Sequence, residues 1–264
     1  MCSFKPDTLL VDEHRSWLNL FDRQFSQNWE NLYKDQPENA MCEAAVRRLL
    51  EQNGNRPEPN MMIDGKKRSP DFRCNQADKT FFVEVTCISI EKATSLTGLS
   101  HHPEPGFSFS GVGRVTDALF HAAIKKTPQC SNLGYPALVA VGTFHGEASR
   151  LCFERMHLAL LLTGETLITQ NIDATTGGPV GDDYLSTNLR SATFLGTTED
   201  GLMRPARNPV SGMLACGFGC EPPQIRGVLN SKPIHAFDRS LLPSLEFCRL
   251  KPGYESGNLM TEWC

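Results

Sequence analysis

Apolar residues recur at roughly helical spacing at Leu9, Leu10, Trp17, Leu18, Leu20, Phe21, Phe25 and Trp29, which predicts one or two helices over residues 8–34. Asp35-Gln-Pro-Glu-Asn39 reads as a break and a cap, and a helix follows from about Ala40 to Gln52, ended by Asn53-Gly54. Pro57, Pro59 and Asn60 lead into Met61-Met62-Ile63, a short strand before the Asp64-Gly65 turn. Pro70 to Cys74 and Thr80 to Ile90 read as two strands joined by a polar turn, Asn75-Gln-Ala-Asp78. Residues 91–112, rich in Ser, Thr, Gly, His and Pro, read as a long mobile loop. An amphipathic helix is expected from about Val112 to Lys126, stopped by Pro128. The near-continuous apolar run Pro136–Phe144 predicts a buried central strand. Glu147–Thr163 reads as a further helix, and Val210–Cys216 and Ile225–Leu229 as late edge strands of the same sheet. This order predicts an α/β fold with a mixed central sheet flanked by helices.

Composition narrows the class. The chain has 264 residues, 40% of them hydrophobic and 21% charged, which excludes a disordered or fibrous protein. That length suits one large domain, or a domain with an appendage. With 26 basic and 30 acidic side chains the net charge is −4, so bulk charge does not coat nucleic acid; a local basic patch still could meet it. Met1 to Trp17 is polar and has no apolar signal-peptide core, and the apolar stretch Leu158–Leu162 is too short to span a bilayer. A soluble, cytoplasmic protein with no membrane partner is expected. Ten cysteines then read as reduced thiols, and Cys216 with Cys220 lacks a second pair for zinc.

Three acids stand out by position. Asp71 opens a strand after Pro70, Glu84 sits mid-strand among Phe81, Phe82, Val83 and Val85, and Glu43 lies in the helix upstream. A carboxylate within so apolar a strand is costly to bury without a partner. With a turn centred near Ala77, Asp71 falls opposite Val83 or Glu84. Two carboxylates meeting on neighbouring strands need a cation, and oxygen ligands favour Mg²⁺ or Mn²⁺ over zinc. Val46 and Leu50 share a helical face with Glu43, which lets it point toward the sheet.

Glu43 in a helix, then Ser69-Pro70-Asp71-Phe72, then Val83-Glu84-Val85-Thr86, resembles the PD-(D/E)xK nuclease superfamily over roughly residues 38 to 145. The resemblance implies a restriction-endonuclease-like core of helix, three antiparallel strands, helix and a further strand. It implies that Asp71 and Glu84 bind a divalent metal, and that Glu43 binds a second metal or holds a ligand water. The family's usual lysine two residues after the acid is Thr86 here, which shares the face of Glu84 but carries no charge. In some branches that lysine moves to the following helix, and Lys126 with Gln129 looks like this variant; Lys125 and Arg73 remain alternatives. Each residue also has an ordinary structural role open to it: a capping Asp71, an exposed edge-strand Glu84, a Glu43–Arg47 surface pair, a β-forming Thr86 and a helix-end Lys126.

The resemblance implies a metal-dependent endonuclease acting on phosphodiester bonds in DNA, with Lys66-Lys67-Arg68, Arg73 and Arg47-Arg48 as phosphate contacts. The alternative is a catalytically inactive nuclease-like fold that binds nucleic acid or a protein. His101-His102 reads as an exposed loop pair, and Gly111-Val-Gly113 is too short for a phosphate cradle. The expected organisation is a helical extension over 1–37 and a nuclease-like domain over 38–264, with its core at about 38–145 and an elaboration over 146–264. A homodimer is an assembly left open.

Overall fold

The structure, a computed structural model, describes residues 6–60, 69–101, 112–173, 175–189, 192–200, 202–254 and 259–264. Helix α1 (Thr8–Leu18) starts at Asp7, whose carboxylate accepts from the Leu9 and Leu10 N–H groups; α2 (Arg23–Asp35) starts at Asp22, which caps Gln24 N–H in the same way. Helix α3 (Pro37–Gln52) begins directly after Gln36, with Pro37 in its first turn. The break expected over residues 35–39 is therefore much shorter. The buried sides of α1 and α2, with Leu10, Leu18 and Trp29, pack on Met41 and Ala44 of α3.

Strands β1 (Arg56–Pro59), β2 (Phe72–Gln76) and β3 (Lys79–Cys87) form an antiparallel ladder. Pro57 and Pro59 are tolerated because β1 is an edge strand. The strand expected at 61–63 and the turn at 64–65 lie outside the described residues. The β2–β3 turn is shorter than expected, because Gln76 still pairs with Lys79 and only Ala77 and Asp78 reverse the chain. Ala77 does so at φ +53°, in the left-handed region.

The loop expected from residue 91 starts instead as helix α4 (Ile90–Thr97), capped by Ser89 and ended by Gly98 at φ +69°. Its threonines join the helix because Thr94 and Thr97 hydroxyls donate back to the Ile90 and Ala93 carbonyls. Helix α5 (Val112–Lys126) runs into a 3-10 turn at Thr127–Cys130, and β4 (Ala137–Thr143) follows, buried throughout and parallel to β3. The single helix expected over 147–163 is two, α6 (Gly146–Leu151) and α7 (Arg155–Thr163). They are separated where Phe153 turns fully into the core and Glu154 is extended.

Two hairpins come next, β5 (Glu165–Ile172) with β6 (Pro179–Asn188), and β7 (Leu195–Thr197) with β8 (Met203–Pro205). Strands β9 (Gly212–Gly217), β10 (Gln224–Leu229), β11 (Glu246–Leu250) and β12 (Thr261–Trp263) complete the described elements. Among the described residues eight strands form one mixed sheet, in the order β1-β2-β3-β4-β9-β10-β11-β12. The late strands are not an edge pair. β9 is buried along its whole length and lies beside β4, in parallel, so the C-terminal strands extend the same sheet. One sheet face, with Phe81, Val83, Val85, Leu138 and Leu214, packs on Cys42, Val46 and Leu50 of α3. The other, with Phe82, Val139, Val141 and Met213, packs on Leu119 of α5 and on Leu158 and Leu161 of α7. The fold is α/β with helices on both faces. Among the described residues no helix is long and apolar enough to cross a membrane, and the cysteines are free thiols.

Candidate functional site

Strand alternation puts Glu84 on the face of Phe82, toward α5, while Val83 and Val85 face α3. β3 lies between β2 and β4, so Glu84 is no exposed edge residue; it is 1% exposed. Lys126, in the last turn of α5, donates from Nζ to Glu84 Oε1, and Gln129 Nε2 donates to the same oxygen at 2.8 Å. The other oxygen, Oε2, is buried and has no hydrogen-bond partner.

Asp71 precedes β2 by one residue. The Phe72–Val83 pairing places it, one step further along, opposite Glu84. It is not a helix or turn cap: its Oδ2 accepts from the Val85 N–H across the ladder at 2.7 Å. Glu43 is half-buried on α3 and points to the same corner. It makes no surface pair with Arg47, which is 4% exposed and turns instead to Glu51 and to His14 Nδ1.

The electrostatics tie these groups into one cluster. Burial, and then repulsion by Asp71, push Glu84 up to about 8, against the pull of Lys126. Burial pushes Asp71 up to about 6, against the Val85 N–H bond and Lys126. Glu43 is held well above the usual carboxylate range by burial first, then by Asp71 and Glu84, with Lys126 opposing. Three acids therefore feel the charge of one ammonium, which bonds Glu84 alone among them.

Of the remaining candidates, Thr86 is half-buried two residues beyond Glu84 on the same side of β3. Lys125 and Arg73 are exposed, which leaves Lys126 as the lysine that reaches the acids. Arg47 and Arg48 are not free phosphate contacts, since Arg48 is paired with Glu13 and Asp7. Lys66, Lys67, Arg68, His102 and Gly111 lie outside the described residues. His101 is half-buried rather than exposed, because its Nδ1 accepts from Gly146 N–H and its ring packs against His145.

A feature not expected from the sequence adjoins the acids. A pocket of about 230 Å³ is lined by Glu43 and Asp71 together with Trp17, Phe25 and Trp29. The aromatic spacing in α1 and α2 was legible, but it reads as core, and only the fold brings it to Asp71.

Among the described residues, no three His, Cys, Asp or Glu side chains form a ready-made cage for a metal ion. Asp71 and Glu84, with the unpartnered Oε2, nevertheless suit Mg²⁺ or Mn²⁺. Such ions take one or two carboxylates and keep waters or a substrate phosphate in their other positions. No protein-family model, curated protein or solved structure matches this chain.

Proposed function

We propose that the cluster of Glu43, Asp71, Glu84, Lys126 and Gln129 is the active site of a Mg²⁺- or Mn²⁺-dependent nuclease that hydrolyses phosphodiester bonds in DNA. The observation that carries this reading is the excess of acid at one corner: Glu84 is buried, Asp71 and Glu43 are half-buried beside it, one lysine neutralises only part of their charge, and Glu84 Oε2 is left without a partner. A purely structural ion pair would place neither a second nor a third carboxylate against the first.

Asp71 and Glu84 would hold the ion, with Glu43 supporting a second ion or a water. A divalent ion there supplies charge that polarises a phosphate and acidifies a bound water. The protein's own groups do the rest. The Val85 N–H fixes the Asp71 carboxylate. Gln129 orients Glu84 through Oε1 and leaves Oε2 open. Lys126 brings from α5 the positive charge that Thr86 lacks, and it neutralises charge that develops on the phosphate.

The purified protein with Mg²⁺ or Mn²⁺ should nick or fragment plasmid and linear DNA, and Asp71→Ala and Glu84→Ala should abolish this. Intact DNA across metals and salt concentrations overturns the assignment. A second reading, an inactive nuclease-like fold that binds nucleic acid or a protein, is favoured by the direct closure of Lys126 on Glu84 and by the uncharged Thr86. DNA binding without cleavage, indifferent to Asp71→Ala and Glu84→Ala, would carry it.

A further inference from the structure

The pocket beside Glu43 and Asp71 is lined by aromatic rings. Trp17 stands edge-on to Phe72 with centroids 5.9 Å apart, and is itself half-buried. Phe25, also half-buried, and the buried Trp29 line the same space. Trp29 is immobilised: it stacks on Tyr33 at 5.2 Å and its indole N–H donates to the Ala40 carbonyl at 3.2 Å. His14 sits between the two indoles, 5.1 Å from Trp17 and 4.8 Å from Trp29. Tyr33 and Arg15 already lie on Trp29 and Arg47 lies over Trp17, so the ring of Phe25 and the edges of the two indoles are the aromatic surfaces left for a ligand.

Polar groups are placed among these rings. Arg47 Nε donates to His14 Nδ1 at 3.2 Å, which puts the ring proton of neutral His14 on Nε2. Asn28 accepts from Gln24 through Oδ1, so its amide N–H groups remain as donors. Asn60 donates from Nδ2 to the Pro70 carbonyl at 3.0 Å, so its Oδ1 remains as an acceptor. Donors and an acceptor around an aromatic slot are what the edge of a nucleobase requires. An aliphatic ligand would use none of them, and a ligand carboxylate would meet Glu43 and Asp71.

We propose that this pocket receives one unpaired nucleobase, that of a nucleotide adjoining the phosphate held at the acid cluster. The substrate would then be single-stranded DNA, or DNA with a base swung out of the stack. The proposal rests on the nuclease reading for the place of the phosphate, and on the pocket alone for the base. A base inside a duplex hides its faces and its pairing edge, so it cannot enter a slot between α1, α2 and the start of β2.

Two of the three tryptophans, Trp17 and Trp29, line the pocket and the third, Trp263, does not, so the intact protein reports its own occupancy. Intrinsic fluorescence is titrated in Ca²⁺ with a thymidine 12-mer, an abasic strand of equal length, the 12-mer duplex and thymidine monophosphate. The thymidine strand should quench, and bind about tenfold tighter than the abasic strand, the order expected for one stacked base. Phe25→Ala should reduce binding to the abasic level, while Trp263→Phe keeps the quenching. No quenching by the thymidine strand overturns the proposal, as do equal binding of the abasic strand and equal or tighter binding of the duplex. Quenching by the monophosphate as strong as by the strand also overturns it, in favour of a free nucleotide. Base-dependent binding with no cleavage in Mg²⁺ or Mn²⁺ keeps the pocket and removes the nuclease. Cleavage with no base preference does the reverse.

Discussion

Lys126 reaches from the end of α5 to Glu84 in the middle of β3, 42 residues earlier in the chain, and donates to the oxygen that Gln129 also binds. A mid-strand acid that is 1% exposed is compatible with folding because these two donors meet it. The same contact aims a cation at the two other acids.

Lys126→Met should remove both effects. If the cluster cleaves DNA, the rate should fall by about 10²- to 10³-fold, the loss typical of one preorganised charge-stabilising group. Stability should fall too, more near pH 9, where Glu84 is largely ionised in the folded state, than near pH 5, where it is protonated. Lys125→Met, one residue away and exposed, should do neither. Thermal unfolding at the two pH values, beside a cleavage assay, separates these outcomes.

The acids also set a pH dependence. Glu84 is raised from 4.5 to about 8 and Asp71 from 3.8 to about 6. Between the unfolded and folded values the native state binds more protons than the unfolded chain, so stability falls as pH rises. The decline should run from about pH 4 to at least pH 8, and Glu84 and Glu43 should give its upper part. Glu84→Gln should make the decline above pH 6 shallower and leave the variant more stable than the parent at pH 8. Melting curves across pH 4–9 test this, and a parent whose stability climbs through that range would refute it.

A divalent ion should reverse the penalty. At pH 8, saturating Mg²⁺ or Mn²⁺ should raise the melting temperature, since an ion at about 100 times its Kd adds about 2.7 kcal/mol. The gain should vanish with EDTA and in Asp71→Asn or Glu84→Gln. An unchanged melting temperature in millimolar Mg²⁺ and Mn²⁺ would argue that the acids serve no metal.

The site was more legible than the fold around it. Placing one turn narrowed the partner of Asp71 to Val83 or Glu84, because antiparallel pairing fixes every opposite pair once the turn is set; the two-residue turn in the structure decides for Glu84. Lys126 and Gln129 were singled out by the resemblance, which moves the missing lysine to the following helix. Long-range placement was not. Val210–Cys216 is an apolar run that suits either an edge or a central strand, and only the parallel pairing with β4 decides it. The break at Phe153 reflects burial of a side chain in the common core, which local periodicity does not contain. The aromatic residues of α1 and α2 showed a buried stripe, but the neighbours of that stripe come from β2 and α3.

The closest packing at any described glycine lies at the far end of the sheet. Gly227 of β10 pairs in register with Phe247 of β11, and a Cβ at Gly227 would stand 2.1 Å from two atoms of the Phe247 ring. That ring cannot swing aside, because it is fully buried and packs against Phe237 with centroids 5.9 Å apart. Gly227→Ala must push strands β10 and β11 apart or force the ring from its rotamer, at a cost of about 1–3 kcal/mol or more. At about 2–4 °C per kcal/mol for a chain approaching this size, the melting temperature should drop by several degrees. Gly196→Ala is the control, since its Cβ would meet only the Ala206 side chain at 3.9 Å. Phe247→Leu vacates the volume the new methyl needs, so the double variant should be more stable than the two single losses added together. Strict additivity would mean that the ring is not what Gly227 accommodates.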